Sequence, residues 1–134
     1  MTEVVEKAIL KLKDSRGQKL FFLPSQNHPF TGTAITLWPN GQKREEFSIA
    51  EGKMCGSYKE WYSDGKQLRI GQHENGKMGG KWLKWYGNGQ QSHEINYVDG
   101  IMDGAYVLWH HNGRIQSQGH YLKGKYLKDK PASD

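Results

Sequence analysis

The sequence predicts an all-β protein, formed by one elongated antiparallel sheet of tandem β-hairpin repeats. Glycine supplies 17 of the 134 residues, and five Trp and seven Tyr supply much of the apolar side-chain volume. Several glycine series recur every 24 residues, which indicates that one supersecondary unit is repeated. Asn-Gly or Asp-Gly pairs stand between short aromatic and β-branched segments, a pattern typical of hairpins. No apolar stripe with the helical period of about 3.6 residues extends across a unit.

The repeat is defined by columns of residues at a constant spacing of 24. A glycine opens each unit, an Asn-Gly or Asp-Gly pair stands in its middle, and a further glycine closes it. The columns are Gly32, Gly56, Gly80 and Gly104; Gly41, Gly65, Gly89 and Gly113; Gly52, Gly76, Gly100 and Gly124; Trp61, Trp85 and Trp109; and Met54, Met78 and Met102. Because these columns are independent of one another and share one period, the repeat is not a chance pattern.

The turns divide the chain into strands. Residues 1–28 are predicted to form an N-terminal hairpin (near 4–13 and 18–23) or degenerate half-repeat, marked by Gly17, which lies 24 residues before Gly41. Four repeats follow in 29–127, each with a two-residue type I′ turn at its middle pair, because that pair tolerates positive φ at both positions. Longer corners link the hairpins, and 128–134 is predicted to be a flexible tail. The predicted repeat strands are 33–39 and 42–50, 57–63 and 66–74, 81–87 and 90–98, and 105–111 and 114–122.

A two-residue turn also fixes the register between the two strands of a hairpin. That register places large residues opposite small or flat ones in several repeats. The expected pairs are Ala34 with Phe47, Tyr58 with Gly71, Gly80 with Tyr97, Trp82 with Ile95, and Tyr106 with Gly119. A ring laid over a cross-strand glycine shields its bare backbone and restores packing.

Side-chain alternation then sorts the residues onto two faces of the sheet. One face gathers Trp38, Phe47, Ile49, Tyr58, Tyr62, Trp82, Tyr86, Ile95, Tyr97, Tyr106 and Tyr121. The other face gathers Trp61, Leu68, Ile70, Leu83, Trp85 and Trp109, mixed with Lys59, Lys81 and Glu94. Because no helix is predicted to cover either face, we expect an uncovered sheet with some aromatic side chains exposed. Contiguous exposed apolar area is typical of a binding surface.

Composition and charge exclude several classes of protein. No apolar run approaches the ~20 residues of a membrane span, and the N-terminus lacks a signal-peptide pattern. The single cysteine, Cys55, favours a reducing compartment, so a cytoplasmic location is predicted. The net charge of +5 is spread along the chain, except for lysines near the end that are expected to be solvated. Nucleic-acid binding is not predicted, because acidic residues such as Glu60, Glu94 and Asp103 lie among the aromatic ones.

Residues able to carry catalysis or bind a metal do not form a recognisable site. His110 and His111 are adjacent, so on a strand they point to opposite faces and cannot chelate one metal ion. Cys55 has no neighbouring base that would activate it as a nucleophile. The segment from Gly76 to Lys81 lacks the spacing of a phosphate-binding loop. We therefore expect a protein that is not an enzyme and that has no metal or cofactor.

The unit from Gly80 to Gln90 resembles the MORN-variant repeat, in which Gly, an aromatic residue, Trp-Tyr and Asn-Gly occupy fixed places. The unit from Gly56 to Lys66 follows this pattern closely, and the unit from Gly104 to Arg114 departs from it at His110. Leu37-Trp38 replaces Trp-Tyr in the first repeat, and Pro29-Phe30-Thr31-Gly32 resembles the family's entry motif. The resemblance covers residues 17–127. It implies an all-β hairpin ladder and protein binding, in some members as a bacterial antitoxin or immunity protein, and in others lipid head-group binding.

Aromatic residues of the repeat are the candidate partner-binding residues, because Trp and Tyr dominate binding hot spots. They are Trp61, Trp85, Trp109, Tyr62, Tyr86, Tyr58, Trp82 and Tyr106. The alternative is that these rings pack on one another and only stabilise the sheet. The expected function is neutralisation of a cognate toxin by direct binding. The alternative function is a peripheral membrane or phospholipid adaptor that uses the lysines near the chain end and exposed Trp. The chain is expected to be a monomer, or a dimer paired at the edge of a final strand near 114–122.

Overall fold

The computed structural model describes residues 3–128, in which the chain is all-β, with one 3₁₀ helix at Lys7–Ile9. Ten strands form one open sheet in the order β1-β4-β5-β6-β7-β8-β9-β10-β11-β12, and β2 and β3 form a separate two-stranded sheet. The strands are β1 (Val4–Glu6), β2 (Lys11–Ser15), β3 (Gln18–Phe22), β4 (Gly32–Leu37), β5 (Lys43–Ala50), β6 (Lys53–Trp61), β7 (Gln67–Glu74), β8 (Lys77–Trp85), β9 (Gln91–Val98), β10 (Ile101–Trp109), β11 (Ile115–Leu122) and β12 (Lys125–Leu127). The predicted ladder of consecutive hairpins is confirmed.

The predicted register within the hairpins is confirmed over most of each strand. The structure pairs Ala34 with Phe47, Tyr58 with Gly71, Gly80 with Tyr97, Trp82 with Ile95, and Tyr106 with Gly119. Only the pair nearest the loop is shifted: Trp85 lies opposite Gln91, one step from the predicted register. The assignment of the inner residues to the two faces is therefore unchanged.

The turns at the Asn-Gly and Asp-Gly pairs are not type I′, so this prediction is wrong. Gly89 has a φ of +87°, whereas Asn88 is not among the residues with positive φ. The Gly89 N–H donates to Tyr86 O (3.0 Å), and the Tyr86 N–H donates to Gln90 O (2.8 Å). The loop is thus a type I turn followed by a left-handed glycine, which adds one residue and a bulge. Asn88 Oδ1 accepts a hydrogen bond from the Gln90 N–H at 2.9 Å, which explains the Asn or Asp at this column.

The two-residue turns with positive φ at both positions lie at the other end of each unit. Asp99 (φ +51°) and Gly100 (φ +80°) form one of them, and Asn75 and Gly76 form another. The corners predicted as longer links are therefore tight turns. As a result, β6, β8 and β10 each begin four residues before the predicted strands, which start at 57, 81 and 105.

The N-terminal segment departs from the prediction in its pairing. Val4–Glu6 runs parallel to β4, with Val5 opposite Ala34, and only Lys11–Ser15 pairs with Gln18–Phe22 in a hairpin. A parallel strand is possible here because a connection of many residues separates β1 from β4. The large sheet is therefore antiparallel except at this edge, and the N-terminal hairpin, formed by β2 and β3 alone, is a separate two-stranded sheet.

The hairpin of β2 and β3 packs on one face of the large sheet. The rings of Phe21 and Phe47 lie 6.4 Å apart, and the Phe21 N–H donates to Gly52 O at 2.9 Å. Lys7 Nζ, on the 3₁₀ helix, lies 5.6 Å from the Phe47 ring centroid. The expectation that both faces stay uncovered is therefore wrong for the first repeats. We call this covered side the core face and the other side the opposite face.

The hydrophobic core lies between the hairpin and the core face. Its buried residues are Val5, Leu10, Phe30, Ala34, Phe47, Ile49, Tyr58 and Trp82. Most of them come from the N-terminal segment and the first two repeats, so the core does not extend evenly along the sheet.

At the other end of the sheet, β12 pairs with β11, so the strand near 114–122 is not the last one. Tyr121 lies opposite Tyr126 in this pair. Tyr126 stands 24 residues after Met102, so β12 begins a further copy of the repeat. Of the predicted flexible tail, only Lys128 belongs to the described residues, and 129–134 lie outside them.

Candidate binding face

The three repeated tryptophans stand at the ends of β6, β8 and β10, on the opposite face. Trp61, Trp85 and Trp109 are each half-buried. Alternation along β6 places Trp61 on the side away from Glu60, which forms an ion pair with Arg69 on the core face. These tryptophans keep part of their surface accessible.

Tyr62 and Tyr86 link neighbouring repeats through their hydroxyl groups. The Tyr62 hydroxyl donates to Trp85 O at 2.7 Å, and the Tyr86 hydroxyl donates to Trp109 O at 2.6 Å. Trp38 makes the equivalent link from the first repeat through its indole N–H, at 3.0 Å. These side chains therefore fix one hairpin against the next, and their polar atoms are already used within the fold.

Tyr58 and Trp82 are core side chains, each 5% exposed. The Tyr58 ring stacks on Phe47 with centroids 5.9 Å apart, and the Trp82 indole lies directly over Gly71. Burial and the hydrogen bond to Glu45 raise the pKa of the Tyr58 hydroxyl, so it stays protonated. Their small exposed area leaves little for a partner to contact.

Tyr106 occupies the same column as Tyr58 and Trp82 but is only half-buried. Its hydroxyl lies 2.9 Å from Ser117 Oγ. Its ring lies against Gly119 on the neighbouring strand, as the register predicts. Of the aromatic residues Tyr58, Trp82 and Tyr106, Tyr106 alone is partly exposed on the core face.

A contrast between equivalent positions shows where the core face is open. Phe47 and Ile49 are 1% and 2% exposed, whereas Ile95 and Tyr97, two repeats further on, are half-buried. The difference arises because the β2–β3 hairpin packs on the first repeats only. Beyond Trp82, the apolar side chains of this face have no covering layer among residues 3–128.

We call the open part of the core face the aromatic strip. Its residues are Ile95, Tyr97, Met102, Tyr106, Tyr121 and Tyr126. Three tyrosines at its end pack edge to face: Tyr106 lies 5.4 Å from Tyr121, and Tyr121 lies 5.7 Å from Tyr126. Tyr126 is 54% exposed. Sequence reasoning missed Tyr126 as a site residue, although the 24-residue spacing from Met102 places it in register.

A row of charged side chains crosses the core face beside the core. Register places Glu45, Glu60, Arg69, Lys84 and His93 next to one another on β5, β6, β7, β8 and β9. The row is acidic at one end and basic at the other. Sequence reasoning missed it, because the residues lie on five strands and differ from repeat to repeat.

The acidic end of this row is neutralised within the fold. Glu60 Oε1 lies 2.8 Å from the Arg69 guanidinium. Burial raises the pKa of the Glu45 carboxyl, but hydrogen bonds from Tyr58 (2.6 Å) and Thr36 (3.0 Å) outweigh it and hold this pKa below its ordinary value. At the basic end, burial and the neighbouring Lys84 lower the pKa of His93.

Within residues 3–128, no group of three or more His, Cys, Asp or Glu side chains is placed to hold a metal ion. Cys55 is an exposed free thiol on β6. No helix of the described chain is both long enough and apolar enough to cross a membrane. A scan of protein-family models and a search of curated proteins find no match for the chain. The resemblance to MORN-variant repeats therefore stays a prediction.

Proposed function

We propose that the chain is a non-enzymatic, cytoplasmic binding protein whose aromatic strip contacts a protein partner. The burial contrast between equivalent positions carries this proposal: Phe47 is covered by the chain's own hairpin, whereas Ile95 is not. A partner that packs on the strip would extend the same apolar layer along the sheet. Apolar side chains that lie side by side and stay partly exposed are typical of interaction surfaces.

The rigidity of the sheet supports the proposal. Each repeat is fixed to the next by backbone pairing and by repeated links, such as Tyr86 to Trp109 and the Gly100 N–H to Met78 O (2.8 Å). A preformed surface loses little conformational entropy on association. Tyrosine side chains add large contact area with few rotatable bonds.

The partner that we propose is a toxin protein that the chain neutralises by covering its working surface. The resemblance to MORN-variant repeats, some of which belong to antitoxin or immunity proteins, is what suggests this partner. Steric occlusion needs only a stable contact face, so it is compatible with a site that lacks nucleophiles, bases and metal ligands.

The test is calorimetry of the purified chain with the proteins encoded beside it in the genome. Tyr97→Ala removes exposed area from the strip, and Trp109→Ala is the matched control on the opposite face. We expect a complex whose dissociation constant rises at least about tenfold with Tyr97→Ala and little with Trp109→Ala. Absence of any complex would contradict the proposed partner. Loss with Trp109→Ala alone would move the contact to the opposite face and overturn the proposed site.

Flotation with phosphatidylserine vesicles tests the alternative, a peripheral membrane adaptor. The net charge of +5 and the half-buried tryptophans of the opposite face favour this alternative. If the chain floats with the vesicles at low salt and is released at high salt, this result supports the membrane adaptor and weakens the protein-partner proposal. If it stays unbound at low salt, the protein partner is supported.

A further inference from the structure

The basic end of the charged row places two positive charges side by side. Lys84 lies directly opposite Arg69 on one neighbouring strand and opposite the His93 ring on the other. Arg69 has its counter-ion in Glu60, at 2.8 Å, but Lys84 forms no ion pair with any residue in 3–128. Like charges in directly opposed positions destabilise a sheet. Such a local conflict, left without compensation in the fold, is typical of a functional position.

A cleft of about 200 Å³ opens beside Lys84 on the core face. Its basic side is formed by Arg69, Lys84 and His93, and its apolar side by Trp82, Ile95 and Tyr97. The cleft thus joins the charged row to the start of the aromatic strip. A group bound here would meet positive charge on one side and aromatic surface on the other.

Lys84 is an exposed residue that lines the cleft, so a bound group can reach its ammonium. A carboxylate accepts hydrogen bonds through both oxygens, and its negative charge would give Lys84 the counter-ion that it lacks within the described residues.

We propose that this cleft binds an aspartate or glutamate side chain of the protein partner, presented in a segment whose neighbouring apolar residues pack on the aromatic strip. The inference rests on the proposed function and names the chemistry of the partner. Charge complementarity favours an acidic side chain, and the small volume suits one side chain rather than a folded element. Lys84 is the principal anchor, and Arg69 stays paired with Glu60.

The repeat itself indicates a substitution at Lys84 that the fold tolerates. The column of Lys84 holds Glu60 in the preceding repeat and Leu108 in the following one, so the fold accepts different side chains there. Lys84→Glu is therefore expected to fold. Lys59→Glu is the matched control, because Lys59 is exposed on the opposite face, where it lies across from Ile70.

The experiment titrates the full chain with the peptide acetyl-Leu-Glu-Leu-Glu-Leu-amide and with its glutamine counterpart, followed by amide NMR. We expect shifts at 82–84 and 93–97 with the glutamate peptide, and at least about tenfold weaker binding of the glutamine peptide. Lys84→Glu should reduce binding at least tenfold, and Lys59→Glu should leave it unchanged. Equal affinity for the two peptides, or equal effects of the two substitutions, would overturn the proposal.

The His93 ring gives a second readout. The groups that face it across the sheet are Lys84 on β8 and Leu108 on β10, and Ser92 Oγ lies 2.9 Å from its Nδ1. A bound carboxylate should raise the pKa of His93, and the glutamine peptide should not. A different result is that phosphatidylserine vesicles shift these same residues while the glutamate peptide does not. That result would identify the ligand as a lipid head group instead of an acidic side chain, and it would overturn the proposal.

The partner complex separates this inference from the proposed function. If Tyr97→Ala weakens the complex and Lys84→Glu does not, the acidic-group inference fails while the binding face stands. If neither variant weakens a complex that does form, both the inference and the proposed site fail. If both variants weaken it, both are supported.

Discussion

The contact between Trp82 and Gly71 can be tested by adding one methyl group. A Cβ built on residue 71 lies 2.5 Å from Trp82 Cε3 and closer still to two other ring atoms. Carbon atoms in contact prefer about 3.5–4.0 Å, so Gly71→Ala requires the ring to move by about 1 Å or more. The ring has little room, because Tyr58 and His73 lie 5.4 Å and 5.2 Å from it, centroid to centroid.

The size of the effect follows from two opposing contributions. Overpacking of a rigid site costs about 1–3 kcal/mol, and the upper end applies because the ring is held on several sides. Replacing glycine by alanine also restricts the unfolded chain and returns roughly 0.4–1 kcal/mol. The expected net loss in free energy of unfolding is therefore about 2 kcal/mol, or a fall in Tm of roughly 6–10 °C for a chain of this size.

Urea unfolding followed by circular dichroism measures this loss. Gly87→Ala is the matched control: Gly87 has no heavy atom within 4 Å of its virtual Cβ and no positive φ, so we expect a change within about 0.5 kcal/mol. In a Trp82→Leu background, the cost of Gly71→Ala should largely disappear, because the ring is gone. If Gly71→Ala is as stable as Gly87→Ala, the stacking of Trp82 on Gly71 is wrong.

Three further variants test separate features by urea unfolding. Tyr86→Phe removes the hydroxyl that donates to Trp109 O and should cost about 0.5–1.5 kcal/mol; an unchanged midpoint would contradict a stabilising link between repeats. Burial and the charge of Arg69 lower the pKa of His73, so stability should fall as the pH drops below about 6.5, where the unfolded chain binds the proton first. The fall should be shallower in His73→Gln, and an equal slope would argue against a neutral buried ring. Glu51 has a φ of +49° in a two-residue turn, so Glu51→Asn should stabilise by roughly 1 kcal/mol, and a lower midpoint would refute this.

The 24-residue period was enough to predict the sheet, because the residues of each column occupy the same place in every hairpin. Period, turn residues and alternation together predicted the pairs of Tyr58 with Gly71 and Trp82 with Ile95. These features are local, so they can be read from the chain without knowing what packs on the sheet.

The type of each turn was harder to predict, because both ends of a unit carry similar signals. Asn88-Gly89 and Asp99-Gly100 both have the composition of a type I′ turn. The structure places the type I′ turn only at the second pair. What distinguishes them is the hydrogen bonding of Tyr86, which lies two residues before the first pair, and its link to the next repeat, which a single hairpin does not show.

The covering of the core face could not be predicted, because it depends on contacts far apart in the sequence. Nothing local in Val4–Glu6 indicates a parallel partner at β4, and nothing in Phe21 indicates Phe47. The charged row was hidden for the same reason, since its members meet only through the register of five strands.

Columns that stay constant from repeat to repeat serve the fold, and columns that vary are the candidates for the binding site. The turn glycines and the column of Trp38, Tyr62 and Tyr86 recur because every hairpin needs the same turn and the same side-chain hydrogen bond to its neighbour. The column of Glu60, Lys84 and Leu108 changes from acidic to basic to apolar along the chain, although all three residues are the last but one of their strands. The repeat does not require the charge of Lys84, which lies opposite Arg69 and beside the aromatic strip, so on the proposed function this charge serves binding rather than folding. Recognition in this protein would then depend on the positions where one repeat differs from the next.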